Sequence, residues 1–141
     1  MVKRLVVLIC SFLFASMCYA AEPVPIVHST AYESSHVIST DPTKSLYWIT
    51  ITWKTQGQRY LIVYDSTTIP VDGALTGARV LYCAVVSLTS DPPIGTKSFD
   101  FTQHPLYRAA IGTVAIISTS GNGCTTKTAD GDNNWITAGV N

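Results

Sequence analysis

Between Leu46 and Lys54 the chain alternates without a break: Tyr47, Ile49, Ile51 and Trp53 interleave with Trp48, Thr50, Thr52 and Lys54. A period of two puts the first set on one side of an extended strand and the second on the other. The segment therefore reads as a half-buried β-strand with one apolar and one wet face. A helix would scatter both sets around its circumference. This segment constrains the fold more than any other, and its neighbours agree with it. Thr55-Gln56-Gly57-Gln58 reads as a short hairpin connection into Arg59 to Asp65, where Leu61 and Val63 alternate with Tyr60, Ile62 and Tyr64 in a strand covered on both sides.

Further along, Ala78 to Leu88 is a long apolar strand with Cys83 near its middle, stopped by Asp91-Pro92-Pro93. Lys97 to Phe101 predicts a short strand. Pro105 to Ile111 predicts the one helix of the chain, with proline at a first helical position and Gly112 as its exit. Thr113 to Thr119 is a β-branched strand, and Ser120-Gly121-Asn122-Gly123 is a turn that delivers Cys124. Trp135 to Val140 closes the series, and Ile26 to Ser39 opens it with a break near Glu33. Six to eight strands, in a chain whose Ser and Thr content favours pleated structure, predict an all-β fold. The expected architecture is a small disulfide-closed sandwich with immunoglobulin-like packing. A small OB-like barrel with one short capping helix is the second choice.

The N-terminus carries an export pattern. Lys3 and Arg4 precede an apolar run from Leu5 to Ala15, and Cys18-Tyr19-Ala20 is a small-x-small cleavage site. Residues 1–20 are read as a signal peptide and 21–141 as a single β domain, secreted or periplasmic, with no membrane insertion after cleavage. Lipid attachment at Cys18 is disfavoured because Met17 stands where a small residue is wanted. Cleavage leaves two cysteines, Cys83 and Cys124, and in an oxidising compartment two cysteines predict one disulfide. The chain-entropy model gives about 4 kcal/mol for a loop of about 40 residues.

Without residues 1–20 the chain has seven basic and nine acidic side chains, a net charge of −2. The basic residues are scattered singly, which excludes a phosphate-tracking surface and hence nucleic acid as a partner. It also excludes a polybasic membrane patch.

Candidate chemistry is sparse. His28 and His36 would share a face only if one unbroken strand held both, and Glu33 is the sole nearby supporting ligand for a metal. His104, with Asp100 four residues upstream and a nearby serine, could make a small secreted hydrolase. No Gly-x-Ser-x-Gly elbow or paired carboxylates accompany them, and helix capping is the better account of His104. Asp130-Gly131-Asp132-Asn133-Asn134 opens like a calcium loop but has Trp135 where glycine is needed and Asn141 where glutamate is needed. An Asx-rich turn explains it better. No cofactor or metal is expected.

Aromatic residues concentrate in the strand pair Leu46 to Lys54 and Arg59 to Asp65, and Tyr47, Trp48, Tyr60 and Tyr64 are the candidate binding residues. The expected function is an exported, non-catalytic binding module that recognises a protein or a glycan through an aromatic, Thr-rich sheet face or its loops. A structural or assembly subunit of an envelope or surface structure is the further alternative.

Overall fold

The computed structural model describes residues 23–141 apart from 77–78, 107–108, 120–122 and 132. The expected signal peptide and its cleavage point lie outside the described residues, as does most of the turn before Cys124. Ten strands follow in order: β1 (Ile26–His28), β2 (Ser35–Ser39), β3 (Leu46–Trp53), β4 (Arg59–Asp65), β5 (Gly73–Ala74), β6 (Val80–Ser87), β7 (Gly95–Asp100), β8 (Thr113–Ser118), β9 (Thr126–Lys127) and β10 (Asn134–Val140). A 3-10 turn, Gly123–Thr125, precedes β9.

The strands form two antiparallel four-stranded sheets, β1-β10-β3-β7 and β2-β8-β4-β6, and a two-stranded ribbon of β5 and β9. One core joins the two large sheets: Ile49, Ile51 and Trp53 of β3, with Ile136 and Ala138 of β10, meet Leu61 and Val63 of β4 and Ala115 and Ile117 of β8. The fold is all-β, and two sheets sharing one apolar core are compatible with a small sandwich.

The second sheet is buried on its far side as well. Ile62, Tyr64, Val114 and Ile116 form a second cluster there, covered by Leu75, Val80 and Cys83. This double burial explains why β4 and β8 carry almost no polar alternation. Cys83 lies opposite Ile62 in register. Its bond to Cys124 (Cα–Cα 5.8 Å) therefore runs over that outer side and fastens the 3-10 turn across β4. The disulfide forms as expected, and it springs from the edge strand β6. Lys97, on the edge strand β7 of the other sheet, donates from Nζ to the Val85 carbonyl (2.8 Å) and so places a charge where the two edges meet.

Three expectations are corrected. β3 and β4 do not form a hairpin, because they belong to different sheets and residues 54–58 carry the chain across the core. The cause is that both strands have an apolar face, and facing one another across the core buries both faces at once. Arg59, 1% exposed, holds the crossing: its guanidinium donates to the Gly57 carbonyl (3.0 Å) and to Thr55 Oγ1, and pairs with Asp130.

The second correction concerns Tyr47. β3 gains one residue against β10 between Trp48 and Leu46, and this bulge resets the phase. Leu46, not Tyr47, enters the core with Ile49.

The helix over Pro105–Ile111 does not form among the described residues of that segment. Leu106 makes an isolated bridge with Leu46 instead. The amides of Ala110 (2.7 Å), Ile111 (3.1 Å) and Gly112 (3.4 Å) donate to the carboxylate of Asp65, which is 5% exposed. Asp65 thus captures amides that a helix would have bonded to its own carbonyls four residues earlier. Burial alone would raise its carboxyl, but those three hydrogen bonds and the charge of Arg79 outweigh it and hold it below its ordinary value.

Candidate functional site

The outer face of the second sheet is covered by the ribbon, the turn and the disulfide, so the outer face of the first sheet is the broad open surface. Register fixes its layout. Ile26, Gly139, Trp48 and Asp100 form one row across β1, β10, β3 and β7. His28, Thr137, Thr50 and Ser98 form the next, followed by Trp135, Thr52 and Thr96. Alternation along β3 and β10 puts these residues outward because Ile49, Ile51, Ile136 and Ala138 point into the core.

Trp48 lies across the neighbouring strand. A methyl group on Gly139 would fall 2.2 Å from Trp48 Nε1 and 2.6 Å from Cε2, so the indole rests on the bare glycine backbone. Only glycine permits that approach. On the core side Trp53 uses Gly95 in the same way and donates its Nε1 to the Pro92 carbonyl (3.2 Å). One tryptophan of β3 is thus buried and the other is left half-exposed.

Beside Trp48 is an open depression of about 280 Å³, lined by Trp48, Thr50, Ser98, Phe99, Asp100 and Thr102. Thr50 and Ser98 share a hydroxyl hydrogen bond (2.8 Å), as do Thr52 and Thr96 (3.0 Å). Asp100 accepts the Thr102 amide at 2.8 Å, and hydrogen bonds from the Thr102 amide and hydroxyl lower its carboxyl below the ordinary range. It stays ionised at neutral pH. Toward the other end of the face, Tyr32 meets Trp135 edge to face (centroids 5.9 Å), with Lys54 Nζ 4.4 Å from the centre of the Tyr32 ring.

The four aromatic residues expected at the site are divided. Trp48 is on this face, and Tyr47 is the half-buried extra residue of the bulge. Tyr60 shares its side of β4 with Ile62 and Tyr64, the far side of the second sheet, and its hydroxyl accepts from Gln58 Nε2 (2.8 Å). Tyr64 is 4% exposed and belongs to the second cluster, which takes it off the surface. Trp135, Tyr32, Ser98 and Thr137 escaped the sequence reading because only long-range contacts bring them onto the face that carries Trp48.

The catalytic and metal candidates do not assemble. Asp100 turns its carboxylate to Thr102, and His104 donates its amide to the Phe101 carbonyl (2.9 Å) within an exposed turn. His28 and His36 sit on edge strands of different sheets. His36 Nδ1 lies 2.7 Å from Glu33 Oε1, a hydrogen bond when that nitrogen carries the proton. Asp130, the first residue of the calcium-like run, is committed to Arg59 and accepts from Asn134 Nδ2 (2.8 Å). Among the described residues no three His, Cys, Asp or Glu side chains gather as metal ligands.

No family model, curated protein or solved structure matches the chain.

Proposed function

We propose that the protein is an exported, non-catalytic binding module that engages its target through the outer face of the first sheet. The observation that carries this reading is the half-exposed Trp48, laid on Gly139 at the rim of an open depression on the less covered of the two sheets. An aromatic ring held flat by the backbone beneath it has little conformational freedom left to lose when a partner packs on it. Export agrees with the disulfide and with the lack, among the described residues, of any helix long and apolar enough to cross a membrane.

The test is capture from envelope or host-surface extracts by wild type, Trp48→Ala and Tyr60→Ala, each checked for folding by denaturant unfolding. Trp48→Ala is expected to weaken capture by about 2 kcal/mol, as truncation of a central aromatic anchor does, and Tyr60→Ala to leave it unchanged. Equal capture by all three folded proteins refutes the assignment.

A further inference from the structure

We infer that this face takes a neutral, extended oligosaccharide, laid along β10 and β3 from the Trp48 indole toward the Tyr32–Trp135 pair. The inference rests on the proposed binding role of the face and adds the chemical class of its occupant.

A pyranose ring has apolar C–H faces and a girdle of hydroxyls, each at once a donor and an acceptor. It needs a flat aromatic surface with free space above it, flanked by groups of equally mixed hydrogen-bonding character. Trp48 meets the first need, since one face of its indole lies on Gly139 and the ring borders the open depression. The paired hydroxyls meet the second. When Thr50 and Ser98 bond to each other, one hydroxyl hydrogen and several lone pairs remain for a ligand, and the same holds for Thr52 and Thr96. Asp100 adds an acceptor: beyond the two hydrogen bonds it takes from Thr102, its carboxylate oxygens keep lone pairs for a sugar hydroxyl in a charge-assisted bond.

Strand geometry sets the length. Gly139, beneath Trp48, and Trp135 are four residues apart on β10, about 13 Å at the rise of an antiparallel strand. Thr137 stands between them. That distance exceeds one pyranose ring, so a single sugar would fill one end of the lane and leave the other aromatic pair unused.

Charge selects a neutral chain. An ionised Asp100 sits beside the Trp48 platform, and Lys54 is drawn over the Tyr32 ring at the opposite end. A sulfated or carboxylated glycan would meet Asp100 where it stacks and would find no cluster of cations along the lane among the described residues. A protein partner would seek a cluster of large apolar anchors, whereas the strongly exposed aliphatic residue of the Trp48 row, Ile26, stands at the β1 edge in a row otherwise made of Gly139, Trp48 and Asp100.

The experiment is isothermal titration of the purified protein with cello-, chito- and malto-oligosaccharides from disaccharide to hexasaccharide, with a heparin fragment as the anionic comparison. At least one neutral series is expected to bind more tightly as it lengthens and then to level off once it spans both aromatic stations, while heparin does not bind. Trp48→Ala and Trp135→Ala should each weaken the best ligand about tenfold or more, and Tyr60→Ala should not. Gly139→Ala should weaken it as well with the indole still present, because the added methyl lifts the ring. Thr50→Val with Ser98→Ala keeps the shape of the face and covers the case in which a tryptophan variant fails to fold. It should weaken binding with an unchanged unfolding midpoint. If no neutral oligosaccharide binds while Trp48→Ala still abolishes capture of an extract component, the occupant is a protein, and this inference falls while the proposed function stands. If capture is also unaffected, both fall.

Discussion

Replacing Arg59 with methionine is expected to cost about 3 to 5 kcal/mol of stability, the range for removing one partner of a buried ion pair. The side chain is 1% exposed and its partner Asp130 is 7% exposed, so neither charge has water to fall back on. Arg59 also donates to Gly57 and Thr55, and lies 3.4 Å from Ser87 Oγ. Without it, Asp130 would keep, among the described residues, the Asn134 amide (2.8 Å) as its side-chain donor. For a domain of this size each kcal/mol moves the unfolding midpoint by roughly 4 °C, so the midpoint should drop by about 10 to 20 °C. Thermal and urea unfolding followed by circular dichroism measures it. The double variant Arg59→Met/Asp130→Leu separates charge from packing. Removing both ions together should recover most of the loss, since apolar replacement of a whole buried pair is often neutral or better. A loss below about 1 kcal/mol for Arg59→Met would show that solvent reaches the pair. A double variant as unstable as the sum of the singles would show that the residues act only as spacers.

Cys83→Ala should lower stability by about 4 kcal/mol, read as a shift in thermal midpoint, and intact mass before and after reduction should differ by the two hydrogens of a Cys83–Cys124 bond. An unchanged midpoint would mean that the ribbon alone holds the turn across β4. Asp65, whose carboxyl is held below its ordinary value of 3.8, contributes stability that is fully present above that value and lost as pH falls through the depressed folded one. Urea midpoints should therefore fall in acid below about pH 4 for wild type, and Asp65→Asn should flatten that fall while costing about 2 kcal/mol at neutral pH.

Strand positions were legible because they depend on local pattern. The observed β3, β4, β6, β8 and β10 lie within a residue or two of the segments marked out by alternation, β-branching and proline. Sheet membership was not legible, because it depends on pairings distant in sequence. β3 takes β10 and β7 as neighbours, whereas a short polar connection such as residues 54–58 favours a local hairpin by default. The decisive residue is Arg59, which in a strand pattern looks like an ordinary edge charge. Only the position of Asp130, 71 residues away, shows that it will be buried and will brace a crossing between sheets. Pro105 and Gly112 likewise carry correct punctuation for a helix, but Asp65 claims the same backbone amides from 45 to 47 residues upstream. In both places a buried charged side chain overrode local propensity, as a charge-assisted bond in a desolvated setting does when it competes with the few tenths of a kcal/mol that separate helix from turn.

The disulfide connects these corrections to the location of the site. Two cysteines could be paired by counting, but the consequence of the pairing depends on which side of which sheet the bond crosses. Because Cys83 shares its face of the second sheet with Ile62, the bond draws the Gly123–Thr125 turn and the β5–β9 ribbon over Tyr64 and Ile62, and turns half of the aromatic pair of strands into core. Trp48 escapes because the crossing at residues 54–58 places β3 in the other sheet, where β1 and β10 follow it with no covering layer among the described residues. Arg59, at the start of β4, and Cys83, opposite its middle residue Ile62, therefore decide which aromatic residues are buried and which stay on the open face.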